Sequence, residues 1–163
     1  MPQTLLAFLA MILVTAFSLV YQRSMIDSRK QMIQDEMETL ASGVALELFE
    51  YIGSRDFDAQ TANGTVTPEN PDPALLTPLP FSGVATFEEA QDIDDFHGLS
   101  FTRTFRVDDV TFDFDVTVEV YYVDPQEPEE AMSTPTLAKK VVLTLTNKHM
   151  IRPLTISRVF TYP

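Results

Sequence analysis

Residues 4 to 40 read TLLAFLAMILVTAFSLVYQRSMIDSRKQMIQDEMETL, and nothing in them stops a helix. The first 22 residues carry no charged side chain, and Leu5 to Tyr21 is apolar except for Thr15 and Ser18. Apolar side chains fall on every side of the helical wheel there, which suits lipid or a protein bundle. The run lies near the short end of the roughly 17–25 residues that span a bilayer. A cleaved secretory signal is the competing reading. It lacks a basic start and a clear small-x-small cleavage pattern around Thr15 to Ser18, and it has no reason to continue in helical phase.

This segment does continue. Ile33, Met37, Leu40, Ala41, Val44, Leu48 and Ile52 recur in steps of three and four and form one apolar stripe. The charges of Arg29, Lys30, Asp35, Glu36, Glu38, Glu47 and Glu50 lie mostly off that stripe. Gly43, the first glycine, costs about 1 kcal/mol against alanine without ending a helix. Gly53-Ser54 is the natural stop. One helix over 1–53 is predicted, about 75 Å long at roughly 1.5 Å per residue. Its half at 4–22 is dressed for membrane or filament, and its half at 23–53 for one side of a soluble core.

Residues 54–98 hold five of the eleven prolines and no sustained period, so they read as a variable, proline-rich loop region. Asn63-Gly64 marks a turn within it, and an N-glycosylation acceptor is the weaker reading of Asn63-Gly64-Thr65. The last third, 99–163, uses a strand alphabet. LSFTRTFRV leads through Asp108-Asp109 into VTFDFDVTVEVYYV, which alternates with period two and puts Val110, Phe112, Phe114, Val116, Val118, Val120 and Tyr122 on one face. A tight hairpin at the two aspartates fits that spacing. DPQEPEEAMSTPT reads as a loop, followed by strands in LAKKVVLTLTNK and PLTISRVFTYP. The expected fold is α+β: a four-strand antiparallel meander with one apolar face, covered by the amphipathic helix at 33–53. Met37, Leu40, Val44 and Leu48 are expected to meet Val116, Val118, Val120, Val141, Leu143, Leu145 and Ile156.

Composition narrows the function. A net charge of -13 with 11 Lys+Arg argues against nucleic acid, whose phosphates such a surface repels. Cysteine is absent, which removes thiolate catalysis and cysteine-ligated zinc. There is no glycine-rich phosphate loop and no HExxH. His97 and His149 stand beside a loop and a turn without a matching nucleophile, and read as ordinary surface residues. Asp113 and Asp115 share a strand face and read as solvated. No catalytic residue and no cofactor is assigned, and an enzyme is not expected. Asp92, Asp94 and Asp95 ahead of Gly98 form the one candidate metal cluster, offering hard oxygen ligands suited to calcium but not the spacing of an EF-hand.

The order of apolar helix, amphipathic helix, variable loop and closing antiparallel sheet resembles the type IV pilin-like superfamily, especially minor pilins and the pseudopilins of type II secretion. QTLLAFLAMILV looks like a pilin N-terminus, and FRVDDVTFDFDVTVEVYYVDP with KKVVLTLTNK and LTISRVFTYP looks like the closing sheet of minor pilins. The resemblance implies a bacterial structural subunit held first in the inner membrane as a single pass. It then implies assembly into an extracellular or periplasmic filament with copies of itself or other pilin-like subunits. The membrane and filament core would be Leu5, Leu6, Phe8, Leu9, Ile12, Leu13, Phe17, Leu19 and Val20. Two features depart from the family pattern. No glycine precedes Gly43, so no leader-processing site is visible, and Leu5 stands where major pilins carry a glutamate. That favours a minor, tip-like or divergent subunit. Arg23, Arg29 and Lys30 follow the span with nothing basic before it, and on the positive-inside rule alone they keep the soluble part cytoplasmic. The alternative is a single-pass membrane protein whose soluble domain binds a ligand or partner and never polymerises.

Overall fold

The computed structural model describes residues 2–162. One helix, α1, runs over Pro2–Gly53 with no turn or break in it. The chain divides into two compact units, Met1–Met37 and Glu38–Pro163. The first is helix throughout its described length, and its apolar side chains are exposed from Leu5 to Ile26. No breaker interrupts the helix, and the backbone groups of the charge-free run up to Gln22 are satisfied within the segment.

The second unit is α+β. The last turns of α1 pack on an antiparallel sheet of five strands: β1 (Ser100–Val107), β2 (Val110–Asp124), β3 (Glu127–Ala131), β4 (Ala138–Thr146) and β5 (Leu154–Thr161). The order is β1-β2-β4-β5, with β3 paired to the end of β2. The β1–β2 hairpin turns at Asp108-Asp109, and Asp108 takes the left-handed conformation with φ 52°. Aspartate tolerates that conformation better than most residues. Along β2, Phe114, Val116, Val118, Val120 and Tyr122 are buried, while Thr111, Asp113, Asp115, Thr117 and Glu119 are exposed. Period-two alternation set by one wet face produces this.

Val44 and Leu48 share a single hydrophobic cluster with Val116, Val118, Val120, Val141, Leu143 and Leu145, and Leu40 and Ile156 pack against it. Met37 is buried too. Two ion pairs flank this packing: Glu50 Oε1 accepts from Arg158 on β5 at 2.7 Å, and Glu47 accepts from Arg103 on β1.

Four details depart from the sequence reading. There are five strands, because β3 forms inside the segment read as a loop. Its Pro128 lacks an N–H, which an edge strand tolerates. Ile33 is 46% exposed, and the buried side of α1 begins at Met37 and adds Ala45 and Phe49 to the stripe. Val110 is exposed at the hairpin tip. Finally, the helix is not the sole cover of the sheet. Phe57, Val66, Leu76, Phe81, Ala90, Ile93 and Phe96, all from the proline-rich region, join the same core.

That region folds through local capping. Asp58 caps the short helix α2 (Ala59–Ala62), accepting from Gln60 N–H at 3.0 Å. Asn63-Gly64 turns with Gly64 at φ 77°. Asp72 caps a single turn at Pro73–Leu75. Short polar side chains at the start of each turn take the place of long-range periodicity.

Candidate functional site: the apolar helix segment and a buried lysine cluster

Two features stand apart from ordinary packing, one in each unit. In the first unit, Leu5, Leu6, Phe8, Leu9, Ile12, Leu13, Phe17, Leu19 and Val20 are each at least 51% exposed. An apolar surface of this extent marks a membrane or protein contact. Thr15, a polar residue within it, donates its hydroxyl to Met11 O at 2.8 Å, so its polarity is satisfied inside the helix. The helix is long and apolar enough to cross a membrane.

In the second unit lies a cluster that the sequence reading missed. Lys139 on β4 is completely buried. Its ammonium donates to Asp58 Oδ2 at 2.8 Å, to Phe57 O at 2.7 Å and to Asp94 Oδ1. Each of the three protons of the ammonium thus has an acceptor. The rings of Phe57, Tyr122 and Phe81 surround it, with centroids 4.7, 5.3 and 5.5 Å from Nζ. Asp58 collects the remaining donors. Thr77 gives it its N–H and, at 3.0 Å, its hydroxyl, and the Tyr122 hydroxyl donates at 3.1 Å. The Tyr122 hydroxyl also lies 2.9 Å from Thr77 O.

Electrostatics follows from this arrangement. Burial pushes the Asp58 carboxyl up, but the hydrogen bonds from Lys139, Gln60 and Thr77 outweigh it and hold Asp58 below the usual carboxylate range. Asp92, also buried, is pushed up to about 7 by its own burial and by the charges of Asp94 and Asp95. Burial and the charges of Asp58 and Asp94 push the Tyr122 phenol up as well. Among the described residues Lys139 is the one buried cation, against the three buried carboxyl groups of Asp58, Asp92 and Asp94, so the site holds more negative charge than it can pair when all three ionise.

The three aspartates read as a calcium candidate are divided among other tasks. Asp94 accepts from Lys139. Asp95 accepts from Gln91 N–H at 2.9 Å, and Asp92 Oδ1 accepts from Asp95 N–H at 3.1 Å, which closes the turn. Among the described residues, no group of three or more carboxylate or imidazole side chains is arranged to hold a metal ion. His97 is not the ordinary surface residue that its position suggests. It is half-buried, its Nδ1 accepts Val120 N–H at 3.1 Å, and its ring meets Phe81 and Tyr121 edge-on. It satisfies a β2 amide in place of a neighbouring strand. His149 is exposed in the β4–β5 turn.

One signal for Lys139 was present in the sequence. It has the same parity as Val141, Leu143 and Leu145, which places it on the inward face of β4. Family models, characterised proteins and solved structures were compared with the chain, and none matches it.

Proposed function

We propose that the chain is a structural subunit of a pilus-like filament or secretion pseudopilus, inserted in the membrane and then polymerised through its apolar N-terminal helix. The observation that carries this reading is the exposed apolar run Leu5–Tyr21 at the start of a helix whose far end packs on the sheet. Subunits stacked through this segment would bury its apolar surface against one another, as a filament core requires. The architecture also supports it: the acidic outer face of the sheet and the capped proline-rich region form a head with its own core.

The test is an aspartate at Phe8 or at Ile12. An unpaired charge in a packed apolar core costs several kcal/mol, and about 2.5–3.5 kcal/mol at the middle of a bilayer. Filament assembly should be abolished while the head keeps its fold. Filaments that form unchanged from either variant exclude the helix as the polymer core. Wild-type chain that inserts in membranes but stays single under assembly conditions favours the non-polymerising, partner-binding alternative.

A further inference from the structure

The lysine cluster places an amine, a carboxyl group and a base in contact inside a shell of aromatic rings. We propose that Lys139 and Asp94 condense into an intramolecular amide, with Asp58 as the positioning and proton-transferring carboxylate. The inference is independent of filament assembly and concerns the head alone.

The geometry supplies the reactants. Lys139 Nζ donates to Asp94 Oδ1, one bond from the carboxyl carbon that it would attack, so the two reacting groups are already held in contact. Among the described residues, the Asp94 carboxylate takes a hydrogen bond from Lys139 alone, so its carbon is not locked in a fully solvated anion. Asp58 is different: Gln60, Thr77 and Tyr122 donate to its oxygens and keep it ionised, which makes it a poor electrophile and leaves it as the carboxylate that relays the proton.

The step balances without any outside reagent. One proton of the Lys139 ammonium passes to Asp94, leaving a neutral amine beside a neutral acid. The amine nitrogen attacks Cγ of Asp94 and the C–N bond forms. Asp58 takes a second proton from that nitrogen and hands it to the departing hydroxyl. The C–O bond breaks, one water leaves, and Asp58 returns to carboxylate. Nothing is oxidised or reduced.

Burial supplies the driving force. In water an ammonium and a carboxylate are favoured over amide plus water largely by their hydration, and here both groups are buried away from it. Phe57, Phe81 and Tyr122 keep solvent from the bond once it is made. The site also holds surplus negative charge, recorded in the rise of Asp92 to about 7. Condensation removes the charge of Asp94, one of the two neighbours that push Asp92 up. The product ties the loop before β1 covalently to β4.

The experiment is the intact mass of the full chain, purified in detergent and measured under denaturing conditions, followed by a tryptic map. The expected result is a chain lighter than its sequence by one water. Cleavage after Lys139 should be lost, and one branched peptide should join the segments around Asp94 and Lys139. Lys139→Arg and Asp94→Ala should each restore the full sequence mass. Asp58→Asn should leave most chains at that mass, because the proton acceptor is gone. A folded wild-type chain at full sequence mass, cut normally after Lys139, overturns the proposal, and this reading needs no variant. A bond from Lys139 to Asp58 or Asp92 overturns the assignment of Asp94, and undiminished condensation in Asp58→Asn overturns the role given to Asp58.

Discussion

Leu48→Ala tests the contact that joins α1 to the sheet. Leu48 is 2% exposed and sits in the cluster with Val44, Val118, Val120, Val141 and Leu143. The substitution removes three carbons from a packed interior. At about 0.8 kcal/mol for each buried methylene, transfer alone accounts for roughly 2.4 kcal/mol. The cavity left behind adds to this, because a packed core relaxes only partly around it. A total of about 3–4 kcal/mol is expected, inside the roughly 2–5 kcal/mol seen for such truncations. For a chain of this size that lowers the melting midpoint by about 10 °C. The assay is thermal unfolding of the full chain in mild detergent, followed by near-ultraviolet dichroism from its tyrosines. Asp113→Asn and Glu119→Gln, on the wet face, are the comparators and should each change stability by under about 0.5 kcal/mol. Refutation is a Leu48→Ala midpoint within about 2 °C of wild type, or comparators that melt earlier than it does.

The pH dependence has a sign fixed by Asp92. Its folded value of about 7 lies above that of an unfolded aspartate, so the folded chain binds the extra proton and its stability falls as pH rises toward 7. Asp92→Asn should therefore match wild type below about pH 4 and become the more stable protein by pH 7, read as the gap between two melting curves; a gap that shrinks with rising pH contradicts this. Gly83→Ala should destabilise strongly, because its Cβ would stand 1.9 Å from the backbone oxygen of His97. The loop would have to move, and β2 would lose the His97 Nδ1 acceptor of Val120 N–H, which hydrogen exchange at that amide reads directly.

Helix and strands were legible because each carries a period. The stripe at Met37, Leu40, Val44 and Leu48 and the alternation from Phe112 to Tyr122 state which side is dry, and packing obeys them. The proline-rich region has no period, so Phe57, Phe81 and Phe96 gave no sign that they complete the core. Their places are set by caps and turns whose consequences are tertiary. Ala45 and Phe49 fall outside a stripe of threes and fours, which is too narrow for a helix buried on about half its surface. The lysine cluster was half legible. Parity along β4 points Lys139 inward, whereas its partner Asp58 lies 81 residues away in the chain, in a segment with no pattern to place it. Asp94 stands out in the sequence only as part of a local acidic cluster, which does not reveal the cation packed against it from a distant strand.

In the proposed filament the segment from Leu5 to Val20 contacts the same segment of other copies. The chain contains no cysteine, so substitutions report contacts against an empty background. The measurement is oxidative cross-linking, after membrane insertion and assembly, of single and paired cysteines placed at Phe8, Ile12 and Phe17. Single substitutions should give dimers and pairs a ladder of higher multimers, both abolished by a further Leu9→Asp. Chains that insert in the membrane and remain monomeric at every position would contradict it.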